Sequence, residues 1–211
     1  MSDRAGRVGI LGGTFDPIHH GHLVIAEEAR EALGLEQVLF VPASTPPHKL
    51  GRPVTEPEHR LAMVRLAVAE NPAFAVASIE VERGGPSYTV ETLEALRAGG
   101  LLDPWLIVSS EALIGFQEWR NPVRILELAR LAVVPRGGFD PLGPAWFEAQ
   151  FPGRGDRARF LDGPLLPISG SVVRRRAAAG RSVRYLVPDA VARYIADHSL
   201  YTEPAWRTPT T

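Results

Sequence analysis

The chain has 211 residues, of which 45% are hydrophobic and 22% charged, and its formal net charge is −1. This composition excludes a disordered or fibrous chain, and the near-zero charge provides no global field for wrapping a nucleic acid or covering an anionic membrane. The absence of cysteine excludes disulfide bonds and thiol nucleophiles. Neither a signal peptide nor an apolar run of spanning length is visible, so we expect a cytoplasmic protein without a membrane partner.

Short apolar runs alternate with longer amphipathic segments along the chain. The runs of strand length are Val8–Leu11, Val38–Val41, Phe74–Val81, Trp105–Val108 and Leu131–Val134. The helical patterns are His20–Leu33, Thr55–Glu70, Ser87–Ala98, Pro122–Ala129 and Pro188–Asp197. This alternation predicts an α/β fold with a Rossmann-like, doubly wound parallel sheet and helices on both faces.

The capping signals and turn residues suggest where the segments begin and end. Thr55 and Glu58 have the spacing of a capping box, which predicts a helix start at Thr55. Residues Gly137–Gly163 are rich in glycine, proline and arginine, and we interpret them as a mobile loop. We expect one domain over residues 1–202 and a flexible tail over residues 203–211.

The first predicted strand leads directly into the segment Gly12–His22, with the sequence GGTFDPIHHGH. Its glycines allow the backbone to approach a ligand closely, and the helix that follows offers free N–H groups and a positive dipole end. His19 and His22 are three residues apart at this helix start, so their rings can converge on one point. The segment therefore predicts an anion site.

A zinc site is the alternative interpretation of the same segment. Asp16, His19 and His22 could supply three ligands to zinc. A dipole-positive helix end nevertheless suits an anion better than a cation.

A second segment, PISGSVVRRR over residues 167–176, leads into a short helix that ends near Gly180. Ser171 is the predicted N-cap, which would place three arginines in the first helical turn. Cations are unfavourable there unless a polyanion is bound. We expect Arg174 to contact a phosphate, because its planar fork suits paired oxygens.

These two segments resemble the signatures of the nucleotidyltransferase superfamily with the His-x-Gly-His motif. The first corresponds to Gly-Thr-Phe-Asp-Pro-x-His-x-Gly-His, and the second to Ile-Ser-x-Thr-x-x-Arg with Ser171 in place of Thr. The resemblance implies transfer of a nucleotidyl group from a nucleoside triphosphate, accompanied by Mg²⁺, to an anionic acceptor. The implied catalytic residues are His19, His22 and Arg174. The implied ATP contacts are Gly12, Gly13, Thr14, Phe15, Glu111, Ser169 and Ser171.

Further features resemble bacterial nicotinate-nucleotide adenylyltransferases, from about Val8 to Tyr201. They are Pro46-Pro47-His48-Lys49, Ser87-Tyr88-Thr89, Trp119, Arg136 and the closing segment from Val187 to Tyr201. The resemblance implies that ATP and nicotinate mononucleotide are the substrates. It also implies that backbone amides around Thr89 and Trp119 hold the nicotinate carboxylate. The implied acceptor contacts are Lys49, Thr89, Trp119 and Arg136.

One departure concerns residues 109–111. The family usually has Gly-x-Asp there, whereas this chain has Ser109-Ser110-Glu111. In the family this Asp faces the ATP ribose, and the resemblance implies the same role for Glu111, whose side chain is one methylene longer. The added Ser109 side chain is expected to crowd the nucleotide.

Three other functions remain open from the sequence. They are an adenylyltransferase for nicotinamide mononucleotide or another phosphate monoester, a non-catalytic nucleotide-binding regulator, and a metallohydrolase built on the histidines. No nucleic-acid partner is expected, and a homo-oligomer is compatible with the sequence.

Overall fold

The computed structural model describes residues 7–47, 51, 53–135, 142–203 and 206. In this part of the chain, six parallel strands form one sheet in the order β3-β2-β1-β4-β5-β6. The strands are β1 Val8–Gly13, β2 Gln37–Pro42, β3 Phe74–Val76, β4 Trp105–Ser109, β5 Arg130–Val134 and β6 Ala158–Phe160. The α-helices are α1 His20–Leu33, α2 Pro57–Val68, α3 Ile79–Arg83, α4 Thr89–Ala98, α5 Ser110–Ile114, α6 Pro122–Leu128, α7 Pro144–Gln150, α8 Gly170–Ala178 and α9 Asp189–Asp197.

The sheet is covered on both faces, because consecutive residues of the central strands β1, β2, β4 and β5 enter different cores. Leu106 and Val108 of β4 pack into one core, whereas Ile107 between them packs into the other. Helices α1, α2, α8 and α9 contribute buried side chains to the core that contains Ile107. Helices α4, α5, α6 and α7 contribute to the opposite core. The predicted fold class is confirmed.

Helix α1 has the predicted limits of His20–Leu33. It ends at Gly34, which adopts φ 62°, a left-handed conformation that glycine accepts without steric cost. None of the helices in the described part of the chain combines the length and apolar composition that a bilayer span requires.

Two of the predicted helix starts lie two residues too early. Helix α2 begins at Pro57, with Glu56 as its N-cap, so Thr55 and Glu58 form no capping box. Proline favours this start because its fixed φ suits the first helical position and its missing N–H is not needed there. Helix α4 begins at Thr89 rather than Ser87, because the Ser87 hydroxyl accepts a hydrogen bond from the Ser44 N–H group at 2.8 Å.

Two predictions of irregular or extended structure also need correction. The apolar run Phe74–Val81 is a strand only over β3, and α3 begins at Ile79. Within the segment interpreted as a mobile loop, the described residues form α7, a 3₁₀ turn over Gly155–Arg157 and the edge strand β6. Phe147 of α7 is fully buried, so hydrophobic packing holds this part of the chain in place.

The topology has one switch point, between β1 and β4. The chain proceeds outward from β1 through β2 to β3, and then returns to place β4 on the other side of β1. Ligands of open α/β sheets bind beyond the carboxyl ends of the strands at such a point. Gly13 at the end of β1 and Ser109 at the end of β4 both lie there.

Candidate active site

His19 and His22 lie where β1 delivers the chain into α1. His19 is the N-cap of α1, and its backbone N–H donates to Nδ1 of His22 at 3.2 Å. Because Nδ1 accepts this bond, a neutral His22 ring carries its proton on Nε2. The backbone of the loop therefore orients His22 as a donor through Nε2.

The imidazole rings of His19 and His22 stack on each other, and the Phe15 ring packs against His22. Their centroids are 3.7 Å apart in a stacked arrangement, and the Phe15 ring meets His22 edge-on at 5.0 Å. Phe15 is buried and adopts φ 49°, an uncommon conformation for a bulky residue. Of the predicted ATP contacts, Phe15 thus places its side chain under His22 rather than at the surface.

Asp16 is a buried carboxylate held from two sides. The Tyr201 hydroxyl donates to Oδ1 at 2.9 Å, and the Thr55 backbone N–H donates to Oδ2 at 3.4 Å. Burial raises the pKa of the Tyr201 hydroxyl well above its usual 10.0, and the Asp16 carboxylate raises it further. These bonds direct Asp16 into the protein, and the described residues contain no group of three or more potential metal ligands. The zinc alternative thus has no support in this geometry.

The second signature segment begins α8, but its cap differs from the prediction. Ser169, not Ser171, is the N-cap, and its Oγ accepts a hydrogen bond from the Val172 N–H group at 3.3 Å. Arg174 consequently lies in the second turn of α8, and Arg175 and Arg176 lie in the last turn. Cations are favourable near a helix C-terminus, so this arginine run does not by itself require a bound polyanion.

Arg174 joins the two segments. Its Nη1 donates to the Asp16 carbonyl at 2.5 Å, and its Nη2 donates to the Ser171 hydroxyl at 3.2 Å. The ring of Trp206 covers the guanidinium at 5.0 Å. The amino-terminal loop and the carboxyl-terminal segment, 158 residues apart in sequence, therefore meet as expected.

The predicted acceptor contacts Thr89 and Trp119 lie on neighbouring elements. Thr89 is the first residue of α4, where a backbone N–H has no acceptor within the helix. The Trp119 N–H, in contrast, donates to the Phe116 carbonyl at 3.1 Å. Of this pair, only the Thr89 amide has the geometry of an anion donor, and the half-buried Trp119 ring packs against Phe116 at 5.2 Å.

Arg120, which directly follows the predicted acceptor contact Trp119, was not named in the sequence analysis. Its guanidinium lies 4.6 Å from the centre of the Tyr88 ring and pairs with Glu91 at 2.7 Å. These contacts connect the segment after Trp119 to the start of α4. Nothing in the linear sequence indicates them, because Glu91 is 29 residues away.

The unusual Ser109 has a structural explanation. It is the N-cap of α5, and its Oγ accepts from the Ala112 N–H group at 3.2 Å, so its side chain turns back onto the helix. The expected crowding of the nucleotide therefore does not follow. Glu111 is exposed in the first turn of α5. Two predicted acceptor contacts, Lys49 and Arg136, lie outside the described residues.

Arg60 of α2 is a further residue that the sequence analysis missed. It is completely buried, and burial lowers the pKa of its guanidinium, an effect that the Asp16 carboxylate opposes. Its hydrogen bonds all go to backbone carbonyls. The acceptors are Thr14, Ala43, Ser44 and Thr55, at 2.5 to 2.8 Å. The sequence did contain one signal for this position. The helical spacing of Arg60 from Met63 and Val64 places an arginine on the apolar face of α2.

Comparison with known proteins places this site in a family. The cytidylyltransferase-like family profile matches residues 10–176. Two relatives are each named "Probable nicotinate-nucleotide adenylyltransferase". The one from Roseiflexus sp. (strain RS-1) is 52% identical and covers 92% of this chain and 97% of its own length. The one from Thermomicrobium roseum is 47% identical and covers 97% and 95%, respectively.

Solved structures show the same fold at low sequence identity. The chain is similar to Plasmodium falciparum nicotinic acid mononucleotide adenylyltransferase complexed with NaAD, with a TM-score of 0.77 and 16% identity. The alignment covers 93% of this chain and 98% of that one. A second structure of the Plasmodium protein, complexed with APC, gives a TM-score of 0.75, and the alignment covers 92% of this chain and 96% of that one.

Proposed function

The chain belongs to the nicotinate-nucleotide adenylyltransferases of the cytidylyltransferase-like family, and from this membership we propose its reaction. The enzyme transfers the adenylyl group of ATP to nicotinate mononucleotide, which yields nicotinate adenine dinucleotide and pyrophosphate in NAD biosynthesis. The observation that carries the proposal is the hydrogen bond from Arg174 to the Asp16 carbonyl. It brings the starts of α1 and α8 to one ligand site beyond β1 and β4.

The chemistry is an in-line displacement at the α-phosphorus of ATP. An oxygen of the acceptor phosphate forms a new bond to this phosphorus, and the bond to the bridging oxygen of pyrophosphate breaks. The acceptor phosphate is already ionised at neutral pH, so the reaction needs no general base. The contribution of the protein is positioning and charge stabilisation.

His22 is the proposed donor to the α-phosphate. Its Nδ1 accepts from the His19 N–H group, so a neutral ring carries its proton on Nε2, the proposed donor to a phosphoryl oxygen whose negative charge grows in the transition state. His19 and the N-terminal amides of α1 complete the phosphate site. A donor that is oriented before the substrate arrives requires little reorganisation during the reaction.

Arg174 and the start of α8 are the proposed site of the β- and γ-phosphates. The guanidinium uses one donor on the Asp16 carbonyl and another on Ser171, and its remaining N–H groups are available to phosphate oxygens. Ser169 and Ser171 supply hydroxyl groups next to it. Mg²⁺ enters as part of the MgATP substrate and neutralises charge on the triphosphate.

The acceptor occupies the side of the site formed by α4 and the segment around Trp119. The N–H group of Thr89, at the positive end of α4, is suited to the nicotinate carboxylate. The Trp119 ring provides an aromatic face for the pyridine ring. A neutral amide in place of the carboxylate gains less from a helix N-terminus, so the acid is the preferred acceptor.

The direct test is an assay of purified protein with MgATP and either nicotinate mononucleotide or nicotinamide mononucleotide. We expect release of pyrophosphate and formation of the dinucleotide, with kcat/KM for the acid at least about tenfold higher than for the amide, which corresponds to about 1.4 kcal/mol.

The same assay distinguishes the alternatives. Preference for the amide, or for another phosphate monoester, would assign a different acceptor to the same chemistry. Binding of ATP without turnover of any acceptor would indicate a nucleotide-binding regulator.

A further inference from the structure

Arg60 occupies an unusual position for an arginine. Its side chain on α2 is completely buried, and it donates to four backbone carbonyl oxygens rather than to carboxylates. A buried cation is retained only where its hydrogen bonds are well satisfied. A side chain with such specific partners fixes the positions of the backbone segments that provide them.

These carbonyls belong to loops on both sides of the substrate site. Thr14 directly follows β1, whose last residues are Gly12 and Gly13. Ala43 and Ser44 directly follow β2, the neighbouring strand. One Nη1 atom donates to both loops, at 2.8 Å to the first and at 2.5 Å to the second. The guanidinium therefore links the two loops, next to the backbone hydrogen bond from the Ala43 N–H group to the Gly13 carbonyl at 2.9 Å.

The second loop is connected in turn to the acceptor side. The Ser44 N–H donates to the Ser87 hydroxyl at 2.8 Å, and the Ser87 N–H donates to the Thr45 carbonyl at 2.9 Å. The Thr45 N–H group also donates to the Gly85 carbonyl at 3.2 Å. Residues 85–87 lead into α4, which begins at Thr89. A continuous set of hydrogen bonds thus joins Arg60 to the proposed carboxylate site.

We propose that Arg60 is a positioning residue for adenylyl transfer. It fixes the loop after β1, on the ATP side, relative to the loop after β2, on the acceptor side, and so aligns the acceptor phosphate with the α-phosphorus. The inference rests on the proposed function and adds to it a buried side chain that controls the alignment of the two substrates through the backbone of both loops. Small misplacements of reacting groups reduce rate strongly, even when each substrate still binds.

Lysine cannot replace arginine in this role. The guanidinium is a rigid plane whose donors point to several acceptors at once, whereas the lysine ammonium is a single point on a flexible stem. Arg60→Lys therefore retains the positive charge and loses the bridge between loops. Val64→Ala provides the matched control, because Val64 lies one turn further along α2, is completely buried and contributes to the core.

The experiment measures stability, binding and turnover for wild type, Arg60→Lys and Val64→Ala. Calorimetry gives the Kd of ATP alone and of nicotinate mononucleotide alone. Steady-state kinetics, at a temperature well below the melting temperatures of all three proteins, gives kcat. We expect Arg60→Lys to bind each substrate within about threefold of wild type and to lose at least about tenfold in kcat. Val64→Ala is expected to lose stability while keeping kcat near the wild-type value.

Equal kcat values for Arg60→Lys and Val64→Ala would overturn the proposal and leave Arg60 a structural residue. A wild-type protein without transferase activity would overturn the proposed function itself, and the role of Arg60 with it. Should Arg60→Lys fail to fold, Ser87→Ala tests the same connection, because it removes the acceptor of the Ser44 N–H group. A reduced kcat at unchanged Kd would support the proposal, and an unchanged kcat would contradict it.

Discussion

Arg174 donates from Nη1 to the backbone carbonyl of Asp16 at 2.5 Å, and no side chain separates α8 from the loop at this point. A Cβ atom at position 170 would lie 2.7 Å from the same carbonyl oxygen, which is closer than real Cβ contacts. Gly170 is thus required by the close approach of α8 to the loop. The proposed triphosphate site depends on this approach.

Gly12 is a glycine that the fold itself does not require. It is exposed, a Cβ atom there would meet nothing within 4 Å, and its φ lies outside the left-handed region. We expect Gly12→Ala to fold with unchanged stability and to weaken ATP binding by about 1–3 kcal/mol, because the methyl group intrudes on the bound nucleotide. Calorimetric titration with ATP measures the loss. Gly170→Ala should behave differently and lower the free energy of unfolding itself.

His22→Ala is expected to reduce kcat by about 10²–10³, equivalent to about 2.7–4 kcal/mol, because it removes the proposed donor to the α-phosphate. Thermal unfolding should change little, since His22 is only partly buried. His20→Ala is the control, because His20 donates to the Leu186 carbonyl through its backbone N–H group, which the substitution keeps. Near-normal turnover in His22→Ala would refute the assigned role.

Trp119→Ala is expected to raise the KM for nicotinate mononucleotide about fivefold, the loss of about 1 kcal/mol of aromatic stacking, while the KM for ATP stays the same. Steady-state kinetics with each substrate varied in turn provides the measurement. Trp105→Phe is the control, because Trp105 begins β4 at the opposite end of the sheet. Equal changes in both KM values would mean that Trp119 supports the fold rather than the acceptor.

The Tyr201 hydroxyl makes the free energy of unfolding vary with pH in the alkaline range. Because burial next to Asp16 raises the pKa of this hydroxyl in the folded state, its stabilising contribution is complete below about pH 10 and is lost as the pH rises further. Tyr201→Phe should cost about 1–3 kcal/mol at pH 7, where Asp16 loses a donor. The difference in free energy of unfolding between wild type and Tyr201→Phe should become smaller above about pH 10.

Denaturant unfolding at several pH values measures this narrowing. Tyr185→Phe is the control, because Tyr185 is 82% exposed and the substitution removes a hydroxyl that is not buried. A constant difference between wild type and Tyr201→Phe at all pH values would show that the hydroxyl does not titrate against Asp16.

The limits of the sequence prediction follow from where the stabilising contacts come from. Helix α1 was predicted to the residue because its apolar spacing and Gly34 are local signals. Strand β6 was missed because Ala158–Phe160 is short and gains its order from pairing with β5. The run Phe74–Val81 was overextended because an apolar run alone does not distinguish a strand from a helix.

The candidate site divides in the same way. Its histidines and the Ser169–Arg174 segment belong to continuous motifs, so the sequence predicted that they would meet. Arg60 and Tyr201 were not predicted, because their partners are backbone carbonyls and a carboxylate from distant parts of the chain. The sequence shows which atoms a residue offers, but distant partners of this kind become visible only in the folded chain.

The bond between Tyr201 and Asp16 also has a consequence for biosynthesis. During translation the loop that contains Asp16 leaves the ribosome early, but the hydroxyl that holds its carboxylate is 185 residues further along the chain. A nascent chain that stops before residue 201 contains both histidines and lacks this support. The amino-terminal loop therefore gains this hydrogen bond only after residue 201 has been synthesised.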